Sequence, residues 1–240
     1  MNASSDSLFA LPETAQLLRE EMDLARLAAR RQPGGRALLL RPCRGAAEPS
    51  WDAHHLPAID LHVADNGFDG QLRCAADAMP WEDAAFQMII AQHAADALPA
   101  ASPLIAELAR LLAPGGVLLW FGLNPQSPWL SWCRWQARRR SSTRGTWTPP
   151  TCTRAYSAHR QLACQRLDTE GAVYVGAYWP RSAPVTTSRR HLYGLETLRA
   201  AYLLAARKRP ALLTPLRPAA RRRMAMHPQL AGTPSQRACA

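Results

Sequence analysis

Asp77 and His93 are the residues whose types and positions point most directly to chemistry in this 240-residue chain. Each follows a short apolar run that reads as a strand, residues 72–75 for the aspartate and residues 86–91 for the histidine. Open α/β sheets bind ligands outside the carboxyl ends of their strands. A carboxylate at such a strand end is an acceptor offered to a ligand's N–H or O–H groups, and an ordinary turn-forming or helix-capping aspartate is the alternative. A lone histidine there is either a proton acceptor for a reacting group or a hydrogen-bonded part of the core. Asn124-Pro125 reads as a turn. Trp129, Trp132 and Trp135 repeat every third residue beside an arginine run, a spacing that gives a buried helix face or an aromatic ridge for stacking.

The elements that must position these residues follow from hydrophobic periodicity. Pro12 fits the first turn of a helix that carries Leu17, Leu18, Met22, Leu24 and Leu27 and ends before Gly34-Gly35. Residues 37–40 form a short continuous apolar run of the kind buried on both faces of a sheet, and the largely apolar runs at residues 58–63, 72–75, 86–91 and 117–121 are further strand candidates. A helix from Ser102 places Leu104, Ile105, Leu108, Leu111 and Leu112 on one face, and Pro114-Gly115-Gly116 turns it into the next strand. The Trp-rich basic segment after residue 121 has helical character. A helix near residues 156–167 then precedes strands at 172–178 and 199–206. Strand, helix, glycine turn and strand form a βαβ unit with a right-handed crossover. The fold class is therefore α/β, a doubly wound, mostly parallel Rossmann-like sheet.

Composition sets the boundaries of the reading. The length suits one well-packed domain with additions, assigned to residues 1–216, and a disordered basic tail at residues 217–240. The net charge of +11 is unevenly distributed, with 9 Lys and Arg against 15 Asp and Glu in residues 1–133 and 20 against 3 in residues 134–240. An Arg-rich C-terminal half can neutralise phosphates, so nucleic acid is a candidate partner, although a plain solvated arginine surface accounts for the same composition. No two of the 6 cysteines stand at a CxxC spacing, so neither zinc nor a disulfide framework is expected. No apolar run reaches the ~18 residues of a membrane span and no leader is visible, which gives a cytoplasmic, reduced protein as the expectation.

The run RCAADAMPWEDAAFQMIIAQHAADAL, followed by IAELARLLAPGGVLLWFG, resembles the S-adenosylmethionine-dependent class I methyltransferases of the type 11 group. GLNPQSPW and AAYLLAARKRPALLTPLRP further resemble a proteobacterial family of methyltransferase-like proteins, with Leu123 standing where that family tends to have Phe. The resemblance implies S-adenosylmethionine as cofactor and an unidentified methyl acceptor. It implies that Asp77 lies near the adenine amino group, with Ala78 and Met79 lining the pocket. It implies that His93 faces the region of methyl transfer, and that an acidic residue at the second strand holds the ribose. Asp60 and Asp65 both suit that last role, and the spacing from the first loop favours Asp60. The loop after the first strand departs from the family. Pro42 and Arg44 stand where glycines are expected, flanking Cys43 and leaving Gly45, and Leu40 replaces the acidic residue that meets the methionine amino group in many relatives. A weakened cofactor grip is one expectation from this loop. A non-catalytic relative that binds nucleic acid or an acidic partner is the other.

Overall fold

The computed structural model describes residues 7–44, 51–65, 67–98, 102–144, 152–180 and 196–210. The tail expected at residues 217–240 and the loop residue Gly45 lie outside these.

Helix α1, Pro12–Ala29, starts with its proline in the first turn. The Thr14 hydroxyl donates to the Leu11 and Leu8 carbonyls, 2.8 and 3.1 Å away, and locks the preceding 3-10 turn to the helix. Its buried face carries Leu17, Leu18, Glu21, Met22, Ala25 and Ala29. Eight strands follow: β1, Ala37–Arg41; β2, Ala58–Ala64; β3, Gly67–Gly70; β4, Cys74–Ala75; β5, Phe86–Gln92; β6, Leu112–Leu123; β7, Leu167–Val175; and β8, Ala201–Lys208. The remaining helices are α2, Ala94–Ala97; α3, Ser102–Leu111; α4, Pro128–Arg144; and α5, Ala155–Cys164.

All the strands share one sheet, ordered β4-β3-β2-β1-β5-β6-β8-β7. β1 pairs in parallel with β2 and β5, and β5 with β6, whereas β3 and β8 run against their neighbours. Six of the eight strands therefore point the same way, as a doubly wound sheet requires. Leu38, Leu39 and Leu40 of β1 are fully buried because both faces of the sheet are covered. Each contributes roughly 2 kcal/mol relative to exposure. Leu38 and Leu40 pack toward α3 and α5 with Leu104, Leu108 and Leu162, while Leu39 packs toward α1 with Met22 and Ala25.

Three local readings change. Only Cys74–Ala75 of the expected strand at residues 72–75 is extended, and it pairs with β3, which the sequence did not announce. β3 consists of Gly-Phe-Asp-Gly, whose composition hides it, and only the closeness of the chains explains Gly67, where a Cβ would collide with the Cys74 carbonyl. The turn at Pro114-Gly115-Gly116 lies inside β6, as a bulge between the pairs Phe86–Leu112 and Met88–Val117, with Gly115 at φ +78°. β7 begins at Leu167, earlier than the alternation suggested.

Gly122 of β6 faces Tyr202 of β8 across the ladder, and a Cβ there would stand 2.5 Å from the tyrosine ring. The ring is 1% exposed and has nowhere to go. Gly122→Ala is expected to lower the unfolding free energy by about 1–3 kcal/mol through overpacking, measured by urea denaturation. Adding Tyr202→Leu should recover part of the loss.

Candidate active site

Asp77 lies on the turn that follows β4, closed by a bridge between Ala75 and Ala78. It is exposed, as is Ala78, whereas Met79 is buried. The Asp77 carboxylate has no hydrogen-bond or ion-pair partner among the described residues, so both of its oxygens are open to a ligand's donors. The backbone behind it is held from α3. Glu107 accepts the Met79 N–H at 2.8 Å. Arg110 donates to the Met79 and Trp81 carbonyls at 3.1 and 2.8 Å and pairs with Glu107 and Asp83 at 2.6 and 2.8 Å. The hydrogen bond from Arg110 holds the Glu107 carboxyl below the usual carboxylate range against the opposing effect of burial. Met79 therefore contributes its side chain to the surroundings of Asp77, while its amide is already committed. The periodicity that made α3 legible gave no sign of this clamp, since Glu107 and Arg110 read as solvent residues on an amphipathic helix.

The end of β1 is unlike that of a glycine-rich nucleotide loop. Arg41, its last residue, is only 6% exposed. Its Nε donates to both Asp60 oxygens, at 3.0 and 2.8 Å. Its Nη1 is buried without a hydrogen-bond partner. Pro42 has no N–H to offer, and the Cys43 side chain packs with Leu8, Phe9 and Leu11. The described residues 51–57, which lead into β2, contain no helix. Asp60 lies inside β2 opposite Leu39, with its carboxylate turned to Arg41, and Asp65 follows the strand at φ +51°, paired with Arg73 at 3.0 Å on the surface. Of the two acidic residues suited to a ribose, Asp60 is the one beside the β1 loop.

His93 follows β5 at φ +49° and is completely buried. Its Nδ1 meets Asp96 Oδ2 at 2.9 Å, its Nε2 meets Glu21 Oε1 at 2.8 Å, and Phe9 stacks on its ring at 4.8 Å between centroids. Gln92 donates to the other Glu21 oxygen at 3.0 Å, and the Leu123 amide donates to Asp96 at 2.7 Å. Burial works to lower the histidine pKa, but the Glu21 charge and the hydrogen bonds to Asp96 and Glu21 outweigh it and push it up to about 10. An imidazolium that donates from both nitrogens fits this geometry. Burial pushes the Asp96 carboxyl up, opposed by the His93 hydrogen bond. Of the two roles open to His93, the geometry favours the hydrogen-bonded core histidine, because both nitrogens are spent and no surface reaches them. The cluster joins α1, β5, α2 and the end of β6 at the carboxyl edge of the sheet.

Asn124 has the same structural character. Its amide donates to the Thr197 and Arg199 carbonyls at 2.6 and 2.9 Å and its oxygen accepts the Gln126 N–H, so the Asn-Pro unit is a turn that ties β6 to the chain entering β8. Along α4 the tryptophans grade from buried Trp129 to Trp135, 51% exposed beneath the Arg139 guanidinium. Burial, followed by the Asp96 charge, pushes the Cys133 thiol up to about 12, so it is no nucleophile. No helix among the described residues is long and apolar enough to cross a membrane.

Residues 55–120 match the type 11 family described as a methyltransferase domain. A stretch of 79 residues is 32% identical to phthiotriol/phenolphthiotriol dimycocerosates methyltransferase 1 of Mycobacterium ulcerans, covering 33% of this chain and 26% of that protein. The fold is that of class I methyltransferases. An S-adenosylmethionine-dependent methyltransferase from Mesorhizobium loti superposes with a TM-score of 0.52 at 16% identity, over 78% of this chain and 98% of that one. The protein in complex with the Haloferax volcanii Trm112 methyltransferase activator superposes with a TM-score of 0.51 at 12% identity, over 86% and 98%.

Proposed function

We propose that this protein binds S-adenosylmethionine at the carboxyl edge of the sheet and transfers its methyl group to an acceptor of unidentified chemistry, with a grip on the cofactor weakened at the β1 loop. The observation that carries the reading is the open Asp77 carboxylate, exposed at the end of β4 on a turn fixed by Glu107 and Arg110, within the stretch that matches the methyltransferase domain. Among the residues present Asp77, exposed and without a partner among the described residues, fits the cofactor as an acceptor for an exocyclic amine. Asp60 is the candidate for the ribose hydroxyls, and Ala78, Met79, Pro42, Cys43 and Gly45 are the further candidates for contact with the cofactor.

When bound, the cofactor supplies an electrophilic methyl on a sulfonium, whose displacement needs alignment more than acid–base help. The described residues at this edge bind and orient, and His93 is engaged within the fold, so the acceptor must arrive with its own lone pair or with a residue outside the site to take its proton. Titration calorimetry with S-adenosylhomocysteine is expected to give measurable binding. Asp77→Ala should weaken it about tenfold, the equivalent of one charge-assisted hydrogen bond, while leaving the melting temperature unchanged because the side chain is exposed. An absence of heat at high micromolar protein would count against the reading.

The second reading, a non-catalytic relative with a nucleic-acid partner, draws support from Pro42 and from the exposed Arg134, Arg138 and Arg139 beside Trp135 on α4. A silent calorimeter together with salt-sensitive retention on RNA would favour it.

A further inference from the structure

We infer that the outer face of α4, together with the start of α5 and the turn after β7, is a docking surface for single-stranded nucleic acid, holding phosphates by arginine and bases by stacking. The inference rests on the nucleic-acid partner of the second reading above and gives it a place and a form; it stands with or without cofactor binding.

Residues 128–167 hold 8 arginines and no aspartate, glutamate or lysine. Arg134, Arg138 and Arg139 are exposed on α4, as is Arg154 ahead of α5. None of the four has a carboxylate three or four residues away, the usual neutralising partner on a helix surface. Arg134 and Arg138 stand at i and i+4, where like charges repel, and a polyanion relieves that repulsion. Exposed aromatic rings gather in the same place. Among the described residues five large apolar side chains are exposed, and the three aromatic ones are Trp135, Tyr156 and Trp179, at 51, 70 and 54%. All three belong to segments that meet at α4. The Trp129 indole donates to the carbonyl of Ala177, two residues before Trp179, at 2.9 Å. Cys152, four residues before Tyr156, packs against the apolar cluster that contains Trp129 and Cys133. Guanidinium and ring are already paired here, with Arg139 at 5.3 Å from the Trp135 centroid and Arg199 at 5.4 Å from that of Tyr178. Rings set among cations are what a flexible polyanion with unpaired bases engages.

The same features disfavour other anionic partners. A helix lying on a membrane needs a continuous apolar face, whereas the exposed face of α4 carries Ser131, Arg134, Trp135 and Arg138. A duplex keeps its bases stacked on one another, and its shape and phosphates are what proteins read.

Fluorescence anisotropy of the full chain with a short labelled oligouridylate tests the inference, with an RNA duplex and inorganic polyphosphate as competitors. The single strand is expected to bind about tenfold or more tightly than either competitor, the contribution of stacked bases. Trp135→Ala should weaken it roughly 5- to 100-fold and leave polyphosphate affinity and the melting temperature unchanged; Tyr156→Ala should act in the same direction. Replacing Arg138 and Arg139 by Gln should weaken both ligands and flatten the salt dependence for the single strand by about 1.4, at roughly 0.7 per phosphate contact. Arg30→Gln with Arg31→Gln removes the same charge from exposed positions ahead of β1 and should leave that slope nearly unchanged. Absence of single-strand binding, equal binding of duplex or polyphosphate, or no effect of Trp135→Ala and Tyr156→Ala overturns this surface, while the cofactor reading stands or falls by calorimetry alone. Binding to phosphatidylglycerol vesicles in preference to oligouridylate overturns it as well, and identifies the face as a membrane contact.

Discussion

Replacing His93 with asparagine is expected to destabilise the protein by about 3–5 kcal/mol, the cost of removing one partner from a buried ionic cluster. Asparagine keeps the left-handed backbone accessible, so the loss reports the charge and not the turn. Glu21 and Asp96 would then face each other's surroundings with no cation between them, both buried. Adding Glu21→Gln should recover part of the stability, because it removes one of the stranded charges. The pH dependence has a definite sign. The folded His93 pKa is raised to about 10 from an ordinary value of 6.5. Its stabilisation is fully present below about pH 6.5 and is lost as pH rises toward 10. Asp96, also raised, acts in the same direction. Unfolding measured from pH 6 to pH 10 should therefore show stability falling with pH in the wild-type protein. In His93→Asn the part of this decline that lies toward pH 10 should disappear, because the imidazole that titrates there is gone. A wild-type profile that rises across that window would refute the charged cluster.

Arg110→Gln carries the second large effect, on the order of 3 kcal/mol. The guanidinium holds two backbone carbonyls and two carboxylates, and the part of its side chain that is solvent-exposed, 33%, keeps the figure below the sum of those bonds. Its loss leaves Glu107 buried with only the Met79 amide as partner. Hydrogen exchange is expected to speed up at residues 79–83 before it does anywhere in β1 or β5. The acid limb should move as well. The folded Glu107 pKa is lowered, so its stabilisation is present above the unfolded value of about 4.3 and disappears as pH falls through the lower folded value. Without Arg110 that contribution vanishes, and acid unfolding should begin at higher pH.

The contrast between these two clusters and the sheet explains what could be read in the sequence. β1, β5 and the apolar part of β6 were legible because strands buried on both faces are written as near-continuous apolar runs too short for a helix. α1 and α3 were legible from their periodicity. β3 was not, because two Gly and an Asp around a single Phe carry little strand propensity; the Asn66-Gly67 dipeptide, a hairpin signal, was the clue available. Asp77 was found by its place at a strand end, a rule of topology. Arg41 and Asp60 were within view of the same rule, but their ion pair spans 19 residues of chain and has no spacing to betray it. Glu21 was the least visible of all. It stands beside Glu20 in a helix and reads as solvent, yet it is fully buried because His93, 72 residues away, supplies the cation that makes its burial tolerable.

The position of β8 has a consequence for the growing chain. It lies between β6 and β7, so among the described residues these two strands are joined in the sheet through a segment synthesised after both of them. Until residues 201–208 have left the ribosome, β6 keeps a bare row of amides and carbonyls beside fully or nearly buried positions such as Leu118 and Leu119, and β7 has no strand to pair with. During synthesis the sheet thus passes through a state with an open apolar edge, in which addition of a strand from another nascent chain competes with correct closure. Completion of the fold is coupled to the arrival of its last described strand.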